Sequence, residues 1–391
     1  MSNIEDLIAE FCPNGTKYVK LGELLNYEQP GKYIVKSTEY NDSLSTPVLT
    51  AGKTFVLGYT AEEEGIYPAS KSEPVIIFDD FTTSNHWVDF PFKIKSSAMK
   101  LITPRSDEIN FRYIYFAIKC ITYKPSDHAR QWIAKYSEFK VPLPPIEVQK
   151  EIANILDKFT QLEAELEAEL EARRKQYEYY RNQLLTFDDE GGVRWTTLGE
   201  VGMFIRGNGL QKKDFTESGV GCIHYGQIFT YYGTYAEKTK TFVSTELAKK
   251  ARKAKSGNLV IATTSENDED VCKAVAWLGN DDIAVSSDAM IYDHKENPKY
   301  ISYVFQTHDF FKQKKKFISG TKVRRVSSQN LAKIKVALPP RDEQDRIVGI
   351  LDKFDSLVNS ISEGLPAELF ARRKQYVYYR TKLLTFQEAG V

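Results

Sequence analysis

Long hydrophobic runs are missing from this chain of 391 residues. No apolar stretch approaches the roughly 18 residues of a membrane span. The opening segment, MSNIEDLIAEF, carries early acids and no basic region, so it does not read as a secretory signal. Cysteine is scarce: Cys12, Cys120, Cys222 and Cys272 lie far apart, without a CxxC pair. That excludes a zinc ribbon and gives no reason to expect disulfides, so a reduced, cytoplasmic setting is expected. His86, His128, His224, His294 and His308 show no HxH or HxxxH spacing, and no metal site is expected. Neither charge is in excess, with 53 basic and 53 acidic residues. The global signature of a nucleic-acid binder is therefore absent, and any basic surface must be local.

Catalytic signatures are missing as well. Gly52-Lys53-Thr54 mimics the end of a phosphate-binding loop, but Pro47 stands where that loop needs its first glycine. Asp127 with Glu138-Phe139-Lys140 has the outline of a nuclease pattern, yet the second half of the chain has Asn330-Leu331-Ala332-Lys333 instead. A strand leading into Pro144-Pro145 is the better reading. There is no Asn-Pro-Pro-aromatic or Asp-Pro-Pro-aromatic motif and no glycine-rich cofactor loop.

Repetition is what the chain has in abundance. Residues 172–187 read ARRKQYEYYRNQLLTF and residues 371–386 read ARRKQYVYYRTKLLTF, identical at thirteen of sixteen positions. ILDKF occurs at 155–159 and 350–354, VPLPP at 141–145 matches VALPP at 336–340, and Gln149 and Ile152 match Gln344 and Ile347. The stretches between, about 20–140 and 197–335, diverge. They share thin echoes: PVIIFDDFTTS with NLVIATTSEN, and KSSAM at 95–99 with VSSDAM at 285–290. The second copy stops with LLTFQEAGV where the first runs LLTFDDEGGV into its next domain, as in a cyclic scheme.

The repeated segment predicts a long helix. Its apolar residues, Ile152, Ile155, Phe159, Leu162, Leu166 and Leu170 in one copy and Ile347, Ile350, Phe354, Leu357 and Ile361 in the other, fall mostly three and four apart. That spacing is a coiled-coil seam. Forty residues of helix reach roughly 60 Å. The second copy is four residues longer between its matching blocks and contains Gly364 and Pro366, which predict a kink or short break. In the first copy a Leu-Glu-Ala-Glu run places five glutamates between residues 160 and 172. It reads equally as a solvated face or as a spacer in units of roughly 6 Å. Short strands such as Val75–Phe78 and Leu259–Thr263 and helices near 108–120 and 298–315 make each variable stretch α+β.

Polar and basic clusters supply candidate nucleic-acid contacts. Lys312, Lys314, Lys315, Lys316, Lys322, Arg324 and Arg325 lie within fourteen residues without an acid. They surround Ser319-Gly320-Thr321-Lys322, a turn whose hydroxyls and ammonium suit phosphate. Lys249, Lys250, Arg252, Lys253 and Lys255 form a second run, equally readable as a solvated face. Tyr225, Gln227, Tyr231 and Tyr232 combine aromatics with an amide able to pair with adenine, or else pack a core. Thr82, Thr83, Ser84, Asn85, His86, Arg130 and Gln131 are the counterparts in the first stretch.

On the repeated ILDKF and ARRKQY-x-YYR segments after each Pro-Pro step, the chain resembles the specificity subunit of type I restriction–modification systems along essentially its whole length. The resemblance implies two target recognition domains, 1–140 and 191–335, each reading one half of a bipartite double-stranded DNA site. Helical segments 141–190 and 336–391 would form an antiparallel coiled coil with pseudo-two-fold symmetry. Two methyltransferase subunits would dock on the chain, and restriction subunits would join them. S-adenosylmethionine, ATP and Mg would belong to those partners, leaving this chain without cofactor, active site or membrane contact. About 60 Å of coil matches about 17 base pairs of duplex at 3.4 Å each. From the residues alone, a protein-binding coiled-coil scaffold and, against the absent motifs, a methyltransferase or nuclease stay open.

Overall fold

The computed structural model describes residues 2–52, 54–126, 129–188, 193–360 and 362–390. Lys53, Asp127, His128 and the seam position Ile361 lie outside them. Two compact units emerge: Met1–Glu165 with Phe370–Val391, and Leu166–Leu369. This division differs from the four consecutive segments expected, because each cut falls inside a helical repeat.

Among the described residues the first unit holds two larger sheets beside the antiparallel pair of Lys17–Lys20 with Lys140–Leu143. Val75–Asp79 lies between Met99–Pro104 and Asn85–Val88, and Leu25–Glu28 flanks Met99–Pro104. The second sheet orders Val56–Thr60, Thr46–Leu49 and Lys93–Ile94, the last pair parallel. Val75–Asp79 forms because a β-branched and aromatic run suits a strand buried on both faces. Its alternation serves two cores: Ile76 and Phe78 join one with Tyr113, Trp132 and Leu156, while Val75 and Ile77 join another with Leu49 and Phe92.

The second unit repeats the plan in a sequence that barely resembles the first. Leu259–Ala262 lies between Ala289–His294 and Ala274–Trp277, and Val220–Ile223 pairs in parallel with Ile283–Val285. Leu259 and Ile261 face one core, Val260 and Ala262 the other. The helix expected near 298–315 is two, Pro298–Val304 and His308–Lys315. The second is started by Thr307, whose hydroxyl accepts from the Phe310 N–H.

The repeats carry one mounting scheme twice. Gln149 accepts from the Asn110 N–H (2.9 Å) and donates to the Pro144 carbonyl (2.7 Å); Gln344 does the same with Asn297 (3.0 Å) and Pro339 (3.0 Å). Asn110 and Asn297 each cap the helix that follows. Tyr113 donates to the Pro142 carbonyl and Tyr300 to that of Ala337. Arg112 pairs with Asp157 of the first ILDKF (2.7 Å) and Lys299 with Asp352 of the second (2.8 Å). Both α+β folds are therefore bolted to their helices by equivalent residues.

The first helix runs unbroken over Ile146–Leu184, whereas the second copy is Arg341–Asn359 and Gly364–Leu383. The break precedes Gly364, which takes φ 73°, and leaves Pro366 in a first turn where its missing N–H costs nothing. Within each unit the helices pair antiparallel and exchange copies. In the first unit Phe159 meets Tyr376 and Tyr379, with ring centroids 6.4 and 5.5 Å apart. In the second Phe354 meets Tyr177 and Tyr180 at 6.3 and 5.5 Å. These are the same positions of the repeat, with the copies interchanged.

Each ILDKF buries one residue beyond the expected seam. Leu156 and Leu351 are fully buried, whereas Ile155 and Ile350 are half-buried and Leu162 is 38 % exposed. The helix packs on an α+β fold as well as on another helix, so its apolar stripe is wider than a two-stranded seam. The acidic run is neutralised largely at the surface: Glu169 pairs with Arg173, Glu171 with Lys175, and Glu163 with Arg373. Among the described residues no helix is long and apolar enough to cross a membrane.

His294 offers a pH test. Its ring lies 4.9 Å from that of Tyr292, and burial pulls its pKa down to about 4, outweighing Glu296 and Asp293. The unfolded value is about 6.5. The stability this neutral ring contributes is present above pH 6.5 and is lost as pH falls toward 4, by roughly 3 kcal/mol. Denaturation curves at pH 7 and pH 4.5 should show that loss and show it reduced in His294→Phe. An equal acid loss in both proteins would refute the assignment.

Candidate nucleic-acid interface

In each unit the ends of the central strands deliver a cluster of loops to one place. In the first unit Val75–Asp79 ends in a hairpin turn. The Asp79 carboxylate accepts from the Phe81 and Thr82 N–H groups at 2.9 and 2.8 Å. Thr83 takes φ 61°, a left-handed conformation that residues other than glycine rarely adopt. Beside it lie the Ser96–Ala98 loop, whose Ala98 carbonyl accepts from the Asp80 N–H, and the segment at Arg130–Gln131, whose Gln131 N–H donates to the Asp80 carbonyl.

The second unit builds the same junction. The Thr263 N–H donates to the Asp288 carbonyl at 3.0 Å, and the Val326 N–H donates to the Thr263 carbonyl. Ser286 Oγ accepts from the Tyr225 N–H at 2.9 Å. Thr264 and Ser265 pair as a short ribbon with Arg325 and Arg324. Gly320 turns the loop at φ 91°, where a Cβ would strike the Val323 carbonyl.

The candidate residues separate on this geometry. Thr82 and Arg130 are exposed and Thr83 and Ser84 half-exposed. Ser319, Gly320, Thr321, Lys322 and Arg325 are all exposed at the second cluster. Tyr231 is 55 % exposed, with the Lys240 ammonium 4.6 Å from its ring centre. Tyr225 is half-buried. Lys249, Lys250, Arg252, Lys253 and Lys255 are exposed together around a helix end.

Others are corrected. Gln131 is buried, accepting from the Tyr123 hydroxyl and donating to the Ala129 carbonyl, so its amide is committed inside the fold. Gln227 is buried likewise, accepting from the His224 N–H and donating to Thr241 Oγ1. Tyr232 is buried and its hydroxyl accepts from the Lys240 N–H. Lys314 leaves the basic run altogether, buried and donating to the Glu269 and Val271 carbonyls. Arg324 is held by Asp268 at 2.8 Å. Asn85 is buried, its side-chain N–H donating to the Thr83 carbonyl. His86 stacks on Phe55 and donates Nε2–H to the Gly52 carbonyl; burial and nearby Lys119 lower its pKa, keeping it neutral near pH 7. Glu138 of the nuclease-like pattern pairs with Lys20, and Lys140–Leu143 is a strand.

Two important residues escaped the sequence reading. Asp80 and Lys100 form an ion pair at 3.3 Å, 1 % and 0 % exposed, directly beneath the first loop cluster. Asp80 also accepts from the Trp132 N–H at 2.8 Å. The pair is carried by strand ends remote in sequence, so only the Asp79-Asp80 doublet was visible. Ser96 and Ser286 were visible as an echo between the stretches, without a position.

These loops, presented twice on α+β frames by repeated helices, are the outline of a duplicated recognition protein. The model of the type I restriction modification DNA specificity domain matches residues 13–172 and 192–371, and the chain belongs to that family. It is 42 % identical to the specificity subunit of the type I restriction enzyme EcoR124I/EcoR124II from Escherichia coli, over 95 % of this chain and 94 % of that protein. Its fold is similar to that of a type I restriction-modification S subunit from M. genitalium, with TM-score 0.54 and 16 % identity over 94 % of this chain and 96 % of that one. A chain solved in a study of type I complex assembly gives TM-score 0.55 at 15 % identity, covering 95 % and 98 %.

Proposed function

We propose that this chain is the DNA-reading subunit of a type I restriction–modification complex, with no catalysis of its own. Each α+β domain reads one half of a bipartite site in double-stranded DNA. The paired helices set the unread gap and receive two methyltransferase subunits. Restriction subunits complete the assembly, and S-adenosylmethionine, ATP and Mg reside on the partners. The observation that carries the reading is two divergent loop clusters mounted identically, through Gln149 and Gln344 and through Asp157 and Asp352. One mounting with two different faces is what reading two different half-sites requires.

The test is genome-wide adenine methylation, with and without this gene, in a host supplying the matching methyltransferase. A two-part motif with a fixed gap should appear only with the gene. No gene-dependent motif beside an active methyltransferase would overturn the reading and favour a protein-binding scaffold.

The spacer role has its own test. Deleting Leu166–Glu169 removes about 6 Å of helix, close to two base pairs. The motif should keep both halves and lose about one to two base pairs of gap. An unchanged gap would remove the spacer role.

A further inference from the structure

Arg130 and Arg325 occupy one structural position in two domains that otherwise diverge around it, each fifteen residues before the second proline of its Pro-Pro step. The residue after each donates its N–H to the carbonyl that closes the central strand, Gln131 to Asp80 and Val326 to Thr263. That closing residue in turn donates to the neighbouring loop, Asp80 to Ala98 and Thr263 to Asp288. Downstream, Phe139 and Ile334 accept from the Leu21 and Leu198 N–H groups, at the same interval from the two arginines. Both side chains are exposed, and among the described residues neither guanidinium has an ion pair. The neighbouring candidates share no such equivalence. Gln131 corresponds to Val326, and the hydroxyl-rich turn of Thr82–Ser84 stands where the other domain has the paired strand Thr264–Ser265.

A contact kept at one framework position, while everything around it differs, suits the part of DNA that is the same in every half-site. We infer that Arg130 and Arg325 are equivalent phosphate clamps, one per half-site, which seat each domain on the backbone and leave base reading to the divergent loops. A guanidinium is permanently charged and forks onto phosphate oxygens, and the backbone bonds fix where its stem starts. This deepens, and rests on, the DNA-reading function proposed above.

The experiment uses the whole chain assembled with its methyltransferase subunits. Arg130→Ala, Arg325→Ala and the double variant are titrated against a duplex carrying the methylated motif and against an unrelated duplex, at several salt concentrations. Each single variant should flatten the slope of log K against log salt by about 0.9 and weaken binding roughly fivefold to tenfold near 0.1 M salt. The double variant should show twice the change in slope. Both duplexes should be affected alike, and the methylated motif should stay the same. An unchanged slope, or a half-site whose bases change, would overturn the clamp. If the parent complex binds both duplexes equally, the sequence-reading function fails, while the slopes still decide the role of the arginines. Unaltered thermal unfolding of both exposed-site variants separates a lost contact from a lost fold.

Discussion

Asp80→Ala is expected to cost the first unit about 3–5 kcal/mol, because it leaves the Lys100 ammonium buried without its counter-charge. Asp80 and Lys100 are almost fully enclosed, and the second Asp80 oxygen holds the Trp132 N–H. Losing the carboxylate therefore strands a cation and a backbone donor together. Lys100→Met, which removes the buried cation, should be tolerated better than Asp80→Ala. Replacing both by apolar residues of similar volume should recover much of the loss. Chemical denaturation of the three variants measures this. A loss under about 1 kcal/mol for Asp80→Ala would show that water reaches the pair. The same change should loosen the Arg130 segment, since the Trp132 N–H loses its carboxylate acceptor while the Gln131 N–H keeps the Asp80 carbonyl.

Exchanging residues 20–140 for the corresponding stretch of another family member should replace one half of the methylated motif completely, leaving the other half and the gap intact. The exchange works only if the graft meets the fixed bolts. It must offer a cation to Asp157, a backbone N–H to Gln149 and a hydroxyl to the Pro142 carbonyl, as Arg112, Asn110 and Tyr113 do. Methylation mapping of the chimera reads the outcome directly. Change in both halves would refute independent domains. A chimera lacking the cation opposite Asp157 should assemble less stably, and restoring arginine should rescue it.

The repeat was fully legible in the sequence, because ARRKQY-x-YYR and ILDKF are short-range and nearly identical. The helices followed from their period, and the break from Gly364 and Pro366. The central strands were legible where the run was β-branched throughout, as at Val75–Phe78. Periodicity along one helix gave the positions that meet the other helix, such as Phe159 and Phe354, and missed Leu156 and Leu351, whose cores also hold residues of the α+β folds. The interface was legible only in outline. A glutamine or tyrosine looks alike whether it points to solvent or caps a short helix, and Gln131, Gln227 and Tyr232 were spent inside. Charge runs mislead for the same reason: Lys314 feeds two carbonyls of its own domain, while Arg325 beside it stays exposed. The equivalence of Arg130 and Arg325 is legible in the sequence only as an equal distance from the repeated Pro-Pro step, and backbone bonds between distant segments give it a place in the fold.

The exchange of helical copies has a consequence for how the chain is made. Leu166–Leu369 is continuous, but the other unit needs residues from before and after it, Met1–Glu165 and Phe370–Val391. Leu383 and Leu384 close the core that contains Ile152 and Leu156, and Gln387 and Ala389 bond to Thr16. Those closing residues emerge from the ribosome after the whole of Leu166–Leu369. At about 5–20 residues per second, the earlier-made domain waits on the order of ten to forty seconds for them. The part synthesised second is thus the first that can finish folding, and the nascent chain carries an uncovered apolar stripe until the closing helix has emerged.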